Sequence, residues 1–309
     1  MNRPTLLSVK NLLHTNEQKA TLFALLTVLL WSTVATAFKI GLQNQLPEQL
    51  IFIASITTVI VLFILLVVSR KIYIIRELGF RSFLMAAILG FLNPFVYYII
   101  LFKAYSLLPA QVAQPINMIW PVVLVLMSIP LLKQKLNWKH IVALLISFAG
   151  VFIISSQGDF FSLQKSNPTG IAFGLSSSII WSIYWIFNVK SKDDILIKLF
   201  LSFSFGTFFL LIYLPIFSTL RIEINNSFFA GIYIGLFEIG FSFIFWMKAL
   251  SLTSHNARIA NLIYIVPFIS LLFIHFVLKE QIFITTIIGL IFIISGILFQ
   301  QTTKIKNEN

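Results

Sequence analysis

The sequence has no cysteine among its 309 residues, which excludes disulfides, thiolate metal sites and cysteine nucleophiles. Charged residues make up only 10% of the chain, and acids are the scarcer sign, with 10 Asp and Glu against 22 Lys and Arg. No glycine cluster has the spacing of a P-loop, so a nucleotide-hydrolysing motif is lacking. No polar stretch is long enough to fold as a soluble domain, and the apolar segments must therefore carry the function.

Ten apolar stretches occupy nearly the whole chain. The composition is 59% hydrophobic and the mean hydropathy is +0.96. A chain of this composition has more apolar surface than a soluble protein can bury. A bilayer core of about 30 Å requires about 20 apolar residues per helix. The sequence predicts an all-α integral membrane protein with ten transmembrane helices, near residues 20 to 41, 49 to 69, 82 to 102, 110 to 132, 139 to 156, 170 to 190, 196 to 218, 228 to 249, 257 to 277 and 282 to 300.

The basic residues are distributed unevenly about these helices. If the N-terminus is cytoplasmic, 17 of the 22 Lys and Arg residues lie inside, and those outside are Lys39, Lys103, Lys165, Arg221 and Lys279. This asymmetry follows the positive-inside rule, and an even helix number returns the C-terminus to the cytoplasm. We therefore expect a multi-pass protein of the bacterial inner membrane whose partner is the lipid bilayer and not a nucleic acid. The first helix is too long for a signal-peptide core and is expected to remain as a span.

The chain contains an internal repeat of five helices. Landmarks recur in one order, 145 to 150 positions apart: Trp31-Ser32 as Trp181-Ser182, Lys103-Ala104 as Lys248-Ala249, Trp120-Pro121 as Val266-Pro267, and Gly150 as Gly296. Because five is odd, the second copy enters the membrane from the opposite face. Inverted repeats of this kind are typical of proteins that open alternately to either side around a site near the bilayer midplane.

These residues resemble the drug/metabolite transporter superfamily and, within it, the EamA family of two tandem five-helix repeats. The resemblance rests on Leu30-Trp31-Ser32, the proline of the fourth helix and Leu278-Lys279-Glu280 before the last helix. The stretches Asn117 to Pro121 and Gln134 to Trp138 further resemble the aromatic amino acid exporters. The resemblance implies a cytoplasmic segment over residues 1 to 18, repeats over 19 to 156 and 170 to 300, and a cytoplasmic tail over 301 to 309. Gln134 stands where the family usually has a glutamate.

Glu238 is the clearest functional candidate, because it lies in the middle of the eighth predicted helix. An ionised carboxylate at bilayer depth costs about 2.5–3.5 kcal/mol even on the insertion scale, so it must face protein or water. It is a candidate proton carrier or counter-ion for an amino group. Its repeat partner is Asn93, and pseudo-symmetry predicts that both face a central cavity. The alternative is a protonated acid that bonds a neighbouring helix.

Other polar residues recur at helical spacing. Gln114 and Asn117 share one face of the fourth helix with Pro121, and the ninth helix offers Asn261 and Tyr264. These amides either line a cavity or pack against neighbouring helices.

Aromatic residues form a second set of candidates. We assign to the cavity the tryptophan-serine pair Trp31 and Ser32 of the first helix, with Trp120, Trp181 and Tyr184. Such rings can stack on an aromatic or cationic substrate. Trp185 fits the interfacial aromatic belt equally well.

The residues favour a transporter over other classes. Intramembrane proteases need paired aspartates, a Ser-His dyad or a His-Glu-x-x-His motif, and channels need filter loops. The sequence predicts a non-enzymatic, cofactor-free and monomeric secondary transporter that exports amino acids or similar small metabolites by alternating access, with possible proton coupling through Glu238. The alternatives are a multidrug or organic-cation exporter, and a receptor or scaffold that transports nothing.

Overall fold

The protein is described by a computed structural model that covers residues 6–132, 138–158, 166–190, 193–219, 221–253, 259 and 261–301. The described residues fold into ten membrane helices in chain order: α1 Leu6–Gly41, α2 Pro47–Val68, α3 Phe80–Leu107, α4 Ala110–Leu131, α5 Trp138–Ser155, α6 Pro168–Lys190, α7 Ile195–Phe217, α8 Asn226–Leu252, α9 Leu262–Leu278 and α10 Ile284–Gln301. Within those ranges, eight helices are long and apolar enough to cross a membrane, and α9 and α10 are shorter apolar helices. The predicted all-α fold class is confirmed.

The helix bounds differ from the prediction mainly in α1. Its apolar span begins at Asn16, but the helix itself begins at Leu6, whereas hydropathy predicted a start near residue 20. Hydropathy marks only the membrane-embedded part of a helix. No proline or glycine lies between Leu6 and Asn16 to end the helix earlier.

The helix contacts follow a pseudo-two-fold pattern. In each repeat the first helix packs on the third and fourth helices of the other repeat: α1 lies against α8 and α9, and α6 lies against α3 and α4. The pseudo-two-fold axis relates α2 to α7 and α5 to α10, and the two helices of each pair pack against each other. One end of the bundle carries the start of α1 and the end of α10, and we call it the terminal end. The other is the opposite end.

Both third helices contain a wide π-helical segment. In α3 it is Phe91–Val96, and in α8 it is Ile234–Gly240. Asn93 lies in the first segment and Glu238 in the second, so the two repeats carry the same irregularity at equivalent positions. A π-helical turn leaves main-chain carbonyls without their usual partner, and such turns are frequent at functional sites.

Glycines allow α5 and α10 to cross closely. A Cβ atom added at Gly150 would lie 2.5 Å from the Gly289 carbonyl oxygen and 3.0 Å from the Ile293 nitrogen. Neither atom can move without displacing α10. Helix association in membranes depends on such small residues, because lipid supplies no hydrophobic driving force between helices.

We expect Gly150→Ala to destabilise the protein by about 1–3 kcal/mol, the usual range for an overpacked contact. The measurement is the Tm of the detergent-solubilised protein, followed as loss of the monodisperse peak on heating. Gly79→Ala is the matched control, since a Cβ atom at Gly79 meets nothing within 4 Å. Equal Tm values for the two variants would contradict the close crossing.

Candidate functional site

A central cavity of about 660 Å³ lies between the two repeats. Six helices line it, the first, third and fourth of each repeat, and α10 adds lining residues near the terminal end. The walls are mainly apolar and aromatic. The aromatic side chains are Trp31, Phe38, Tyr97, Tyr105, Trp120, Trp181, Trp185, Phe243, Trp246 and Tyr264.

Glu238 is the single charged residue among the described side chains that line this cavity. Its Oε1 accepts a hydrogen bond from the Tyr98 hydroxyl at 3.1 Å. Its main-chain oxygen, one of those displaced by the π-helical segment, accepts from Trp31 Nε1 at 3.0 Å. The carboxylate therefore sits at mid-bundle with one neutral donor and an open side toward the cavity.

Side chains satisfy the other displaced carbonyls of this segment. The Thr58 hydroxyl donates to the Gly235 oxygen at 3.0 Å, and the Ser242 hydroxyl donates to the Phe237 oxygen. Irregular backbone at membrane depth is tolerated where protein groups replace the lost helix bonds. The bulge that presents Glu238 is thus a supported part of the fold.

A second group of lining residues comes from α3, α4 and α6. Tyr97 stacks on Trp181 with ring centroids 4.6 Å apart and donates to Asn117 Oδ1 at 3.3 Å. Asn117 Nδ2 in turn donates to the Ser177 hydroxyl at 2.8 Å. This chain of contacts fixes the Trp181 ring and orients the Asn117 amide.

Two buried polar atoms on the cavity wall have no hydrogen-bond partner within the described part of the chain. They are the Gln114 carbonyl oxygen and the Trp185 indole nitrogen. Buried polar groups are normally paired, and each unpaired one in a native structure calls for an explanation. A ligand in the cavity would donate a hydrogen bond to the Gln114 oxygen and accept one from the Trp185 N–H.

Polar contacts close the opposite end, one set between the repeats and one within the first repeat. The Glu280 carboxylate accepts the Ala110 amide at 2.9 Å and the Gln111 amide at 3.3 Å, which caps α4. Lys39 Nζ donates to the main-chain oxygens of Tyr105 and Leu108 at 2.9 and 3.1 Å, which caps α3. Both arrangements follow from the helix dipole, with an anion at a helix start and a cation at a helix end.

The cavity extends the other way, toward the terminal end. Its walls there come from the last turns of the helices, namely Ser128, Leu250 and Gln300. The cavity is therefore closed at the opposite end and continues to the terminal end.

Seven of the eleven predicted site residues line the cavity: Trp31, Gln114, Asn117, Trp120, Trp181, Glu238 and Tyr264. The other four do not. Ser32 is buried and donates to the Val28 and Val266 oxygens, and Tyr184 is buried behind Trp181. Asn261 is exposed at the start of α9.

Asn93 departs from the pseudo-symmetry that predicted its position. It is buried and does not line the cavity. Its φ of −146° and ψ of 116° are not helical. The comparison with Glu238 assumed a helical backbone at this position, so it does not predict where the Asn93 side chain lies. The carboxylate of the second repeat thus has no counterpart in the cavity.

The structure adds Tyr97, Trp185, Phe243 and Trp246 to the cavity wall. Tyr97 follows Asn93 by four residues, or one helical turn, and the sequence alone could have indicated it by this spacing. Phe243 and Trp246 follow Glu238 by five and eight residues. The extra residue of the π-helical segment brings Phe243 to the face of Glu238, and hydropathy does not reveal that residue.

Gln134, the departure from the family pattern, lies outside the described residues. Among those that are described, no three His, Asp or Glu side chains come together as metal ligands would.

Comparison with known proteins gives a consistent family signal. The EamA-like transporter family profile matches residues 18–156 and 168–300. An uncharacterized transporter of Clostridium kluyveri is 26% identical over 301 residues, covering 94% of this chain and 95% of that protein. The uncharacterized inner membrane transporter YhbE of Escherichia coli is 23% identical over 167 residues, covering 53% of this chain and 52% of its own.

A solved structure supports the fold alone. It superposes with a TM-score of 0.62 at 19% identity, covering 92% of this chain and 97% of that one.

Proposed function

Because the chain belongs to the EamA-like transporter family, we propose that it is a secondary transporter that exports amino acids or similar small metabolites by alternating access. Glu238 binds the substrate amino group or carries a coupling proton. Trp31, Asn117, Trp181 and Tyr264 surround the substrate. The transported compound moves down its gradient or with an ion.

The central cavity carries this proposal. It lies between inverted repeats, it is closed at the opposite end by Glu280, Gln111 and Lys39, and it continues to the terminal end. A site reached from one side at a time is what alternating access requires. The positive-inside rule predicts cytoplasmic termini, and with that orientation a cavity open at the terminal end supports an inward-facing state. We propose that the transporter acts as a monomer.

The polar groups of the cavity favour a zwitterion as substrate. An amino group pairs with Glu238, and a carboxylate needs a donor. The Trp185 indole N–H, which has no partner among the described residues, supplies one on the cavity wall. The resemblance of Asn117 to Pro121 to the aromatic amino acid exporters supports the same class.

A second candidate function is export of organic cations. It rests on one observation: the described lining of the cavity holds one acid, many rings and no Lys or Arg. A lipophilic cation needs only the carboxylate and cation–π contacts.

The test is counterflow in proteoliposomes preloaded with unlabelled amino acids or organic cations, followed with labelled tryptophan, threonine or a quaternary ammonium dye. We expect exchange of the amino acids. Exchange of the dye alone would assign organic-cation efflux. Absence of exchange for every compound would contradict the transporter proposal and favour a receptor or scaffold.

A further inference from the structure

Two grooves lie on the bilayer-facing surface of the bundle, apart from the central cavity. One, of about 350 Å³, is lined by α3, α6 and α7, and we call it the α3–α6 groove. The other, of about 500 Å³, is lined by α1, α8 and α9, and we call it the α1–α8 groove. Neither shares a described lining residue with the central cavity. Both are open to lipid, since Phe91 in the first is 48% exposed and Phe229 in the second is 59% exposed.

The two grooves are related by the repeat. Three pairs of equivalent positions line them: Ile88 and Tyr233, Ile183 and Thr33, and Phe187 and Ala37. Because the repeats are inverted, the α3–α6 groove lies in the half of the bundle nearer the terminal end, where α3 begins. The α1–α8 groove lies in the half nearer the opposite end, where α8 begins. Each groove therefore faces the lipids of one leaflet.

An arginine stands at the head of one groove only. On α3, Arg81, Leu84, Ile88 and Phe91 recur at three- and four-residue spacing and so share one face of the helix. Arg81 is exposed in the first turn, at the terminal end, and Phe91 lies about 15 Å further along the helix. Leu84 and Ile88 between them are 49% and 38% exposed. The equivalent of Arg81 in the α1–α8 groove is Asn226, which is neutral.

No ion pair involves Arg81 within the described part of the chain. The ion pairs between described residues join Lys71 to Asp194 and Arg221 to Glu223. The residue after Arg81, Ser82, donates to the Asp193 carboxylate at 3.0 Å, but successive residues of a helix point about 100° apart. The Arg81 guanidinium is thus available to an anion at the surface of the bilayer.

We propose that the α3–α6 groove binds one anionic phospholipid of the terminal-end leaflet, with its phosphate on Arg81 and an acyl chain along Leu84, Ile88 and Phe91. The planar guanidinium matches phosphate oxygens, and the apolar groove below it matches a hydrocarbon chain. The positive-inside rule predicts that this end is cytoplasmic, and the cytoplasmic leaflet carries the anionic lipids. A soluble anion would use the arginine but not the groove. The inference goes beyond the proposed transport function and does not depend on the compound that is exported.

The experiment titrates lipid into the purified, detergent-solubilised protein and follows the Tm. The lipids are dioleoylphosphatidylglycerol, which is anionic, and dioleoylphosphatidylcholine, which is zwitterionic, each at low and at high salt. Arg81→Gln removes the charge at the head of the groove. Arg76→Gln is the matched control, because Arg76 is an exposed arginine before α3 at the same end and lies outside the groove. Asn226→Arg places a charge at the head of the α1–α8 groove.

We expect the Tm of the wild-type protein to reach half of its rise at about fivefold less phosphatidylglycerol than phosphatidylcholine, because an arginine near anionic lipid favours binding by about that factor. High salt reduces the preference. Arg81→Gln abolishes it and Arg76→Gln keeps it. Native mass spectrometry counts the bound lipid, and Asn226→Arg is expected to retain one more phosphatidylglycerol molecule than the wild type.

Equal midpoints for the two lipids in the wild type, or a preference that survives Arg81→Gln, would overturn the site. Loss of the preference in Arg76→Gln as well would show general attraction to a basic surface and would also overturn it. An equal Tm rise with the same concentration of glycerol phosphate would mean that a soluble anion suffices. No added lipid in Asn226→Arg would contradict selection by the residue at the head of the groove. Counterflow is not used in this test, so the transport proposal stands or falls separately.

Discussion

Glu238→Gln is expected to lower transport of amine-bearing substrates by about 10- to 100-fold, because a charge-assisted hydrogen bond contributes about 1.5–3 kcal/mol. The substitution keeps the size of the side chain, and the Gln oxygen can still accept from Tyr98. It removes the single charge among the described residues that line the cavity. The measurement is the initial counterflow rate at several pH values, with reconstitution checked by protein content.

Tyr98→Phe is the matched control for Glu238→Gln. It removes the hydrogen bond to Oε1 and leaves the carboxylate, so we expect a loss of less than about tenfold. If Glu238→Gln transported at the wild-type rate with unchanged pH dependence, Glu238 would have no part in substrate binding or coupling.

Gln111→Leu is expected to open the opposite end. The Gln111 Nε2 donates to the Gln281 oxygen at 2.7 Å, and its Oε1 accepts from the Phe283 amide and the Thr286 hydroxyl, both at 3.0 Å. These contacts join the start of α4 to the start of α10. Their loss leaves buried donors unpaired and weakens this closure by about 2–4 kcal/mol, which shifts the two-state equilibrium by at least about tenfold.

Single-cysteine labelling measures this shift, since the chain has no native cysteine. Tyr105→Cys places the reporter on the cavity wall near the opposite end. We expect an impermeant maleimide added from that side to label it at least about tenfold faster in the Gln111→Leu background. Gln43→Leu, an exposed glutamine at the same end, should have no effect, and Ser106→Cys reports reagent delivery. Equal labelling of Tyr105→Cys in both backgrounds would contradict a closing role for Gln111.

Much of the fold follows from the sequence because the bilayer restricts it so strongly. Backbone polar groups in lipid must be satisfied within helices, so ten apolar stretches such as Pro47–Val68 and Ile195–Phe217 specify ten helices. The ordered landmarks, with Gly150 and Gly296 among them, indicate the repeat. Both glycines indeed lie where α5 meets α10.

The site was only partly predictable, because a hydropathy pattern does not show local departures from α-helical geometry. Glu238 stood out as a carboxylate in an apolar helix. The π-helical segments, however, turn Asn93 out of the cavity and bring Phe243 into it. Trp185 was ambiguous, since its position in α6 suits the membrane interface as well as the cavity. Tertiary packing against α4 decides between the two.

The most direct test of the account asks whether substrate passes through the central cavity. Leu124→Cys puts a single thiol on the cavity wall, one turn beyond Trp120, and Leu131→Cys puts one on the 40% exposed, lipid-facing side of α4. Counterflow is measured before and after reaction with a bulky maleimide, with and without saturating substrate. The account predicts that modification at position 124 abolishes exchange, that substrate slows this modification, and that modification at position 131 does neither. Full exchange by protein modified at position 124 would contradict it.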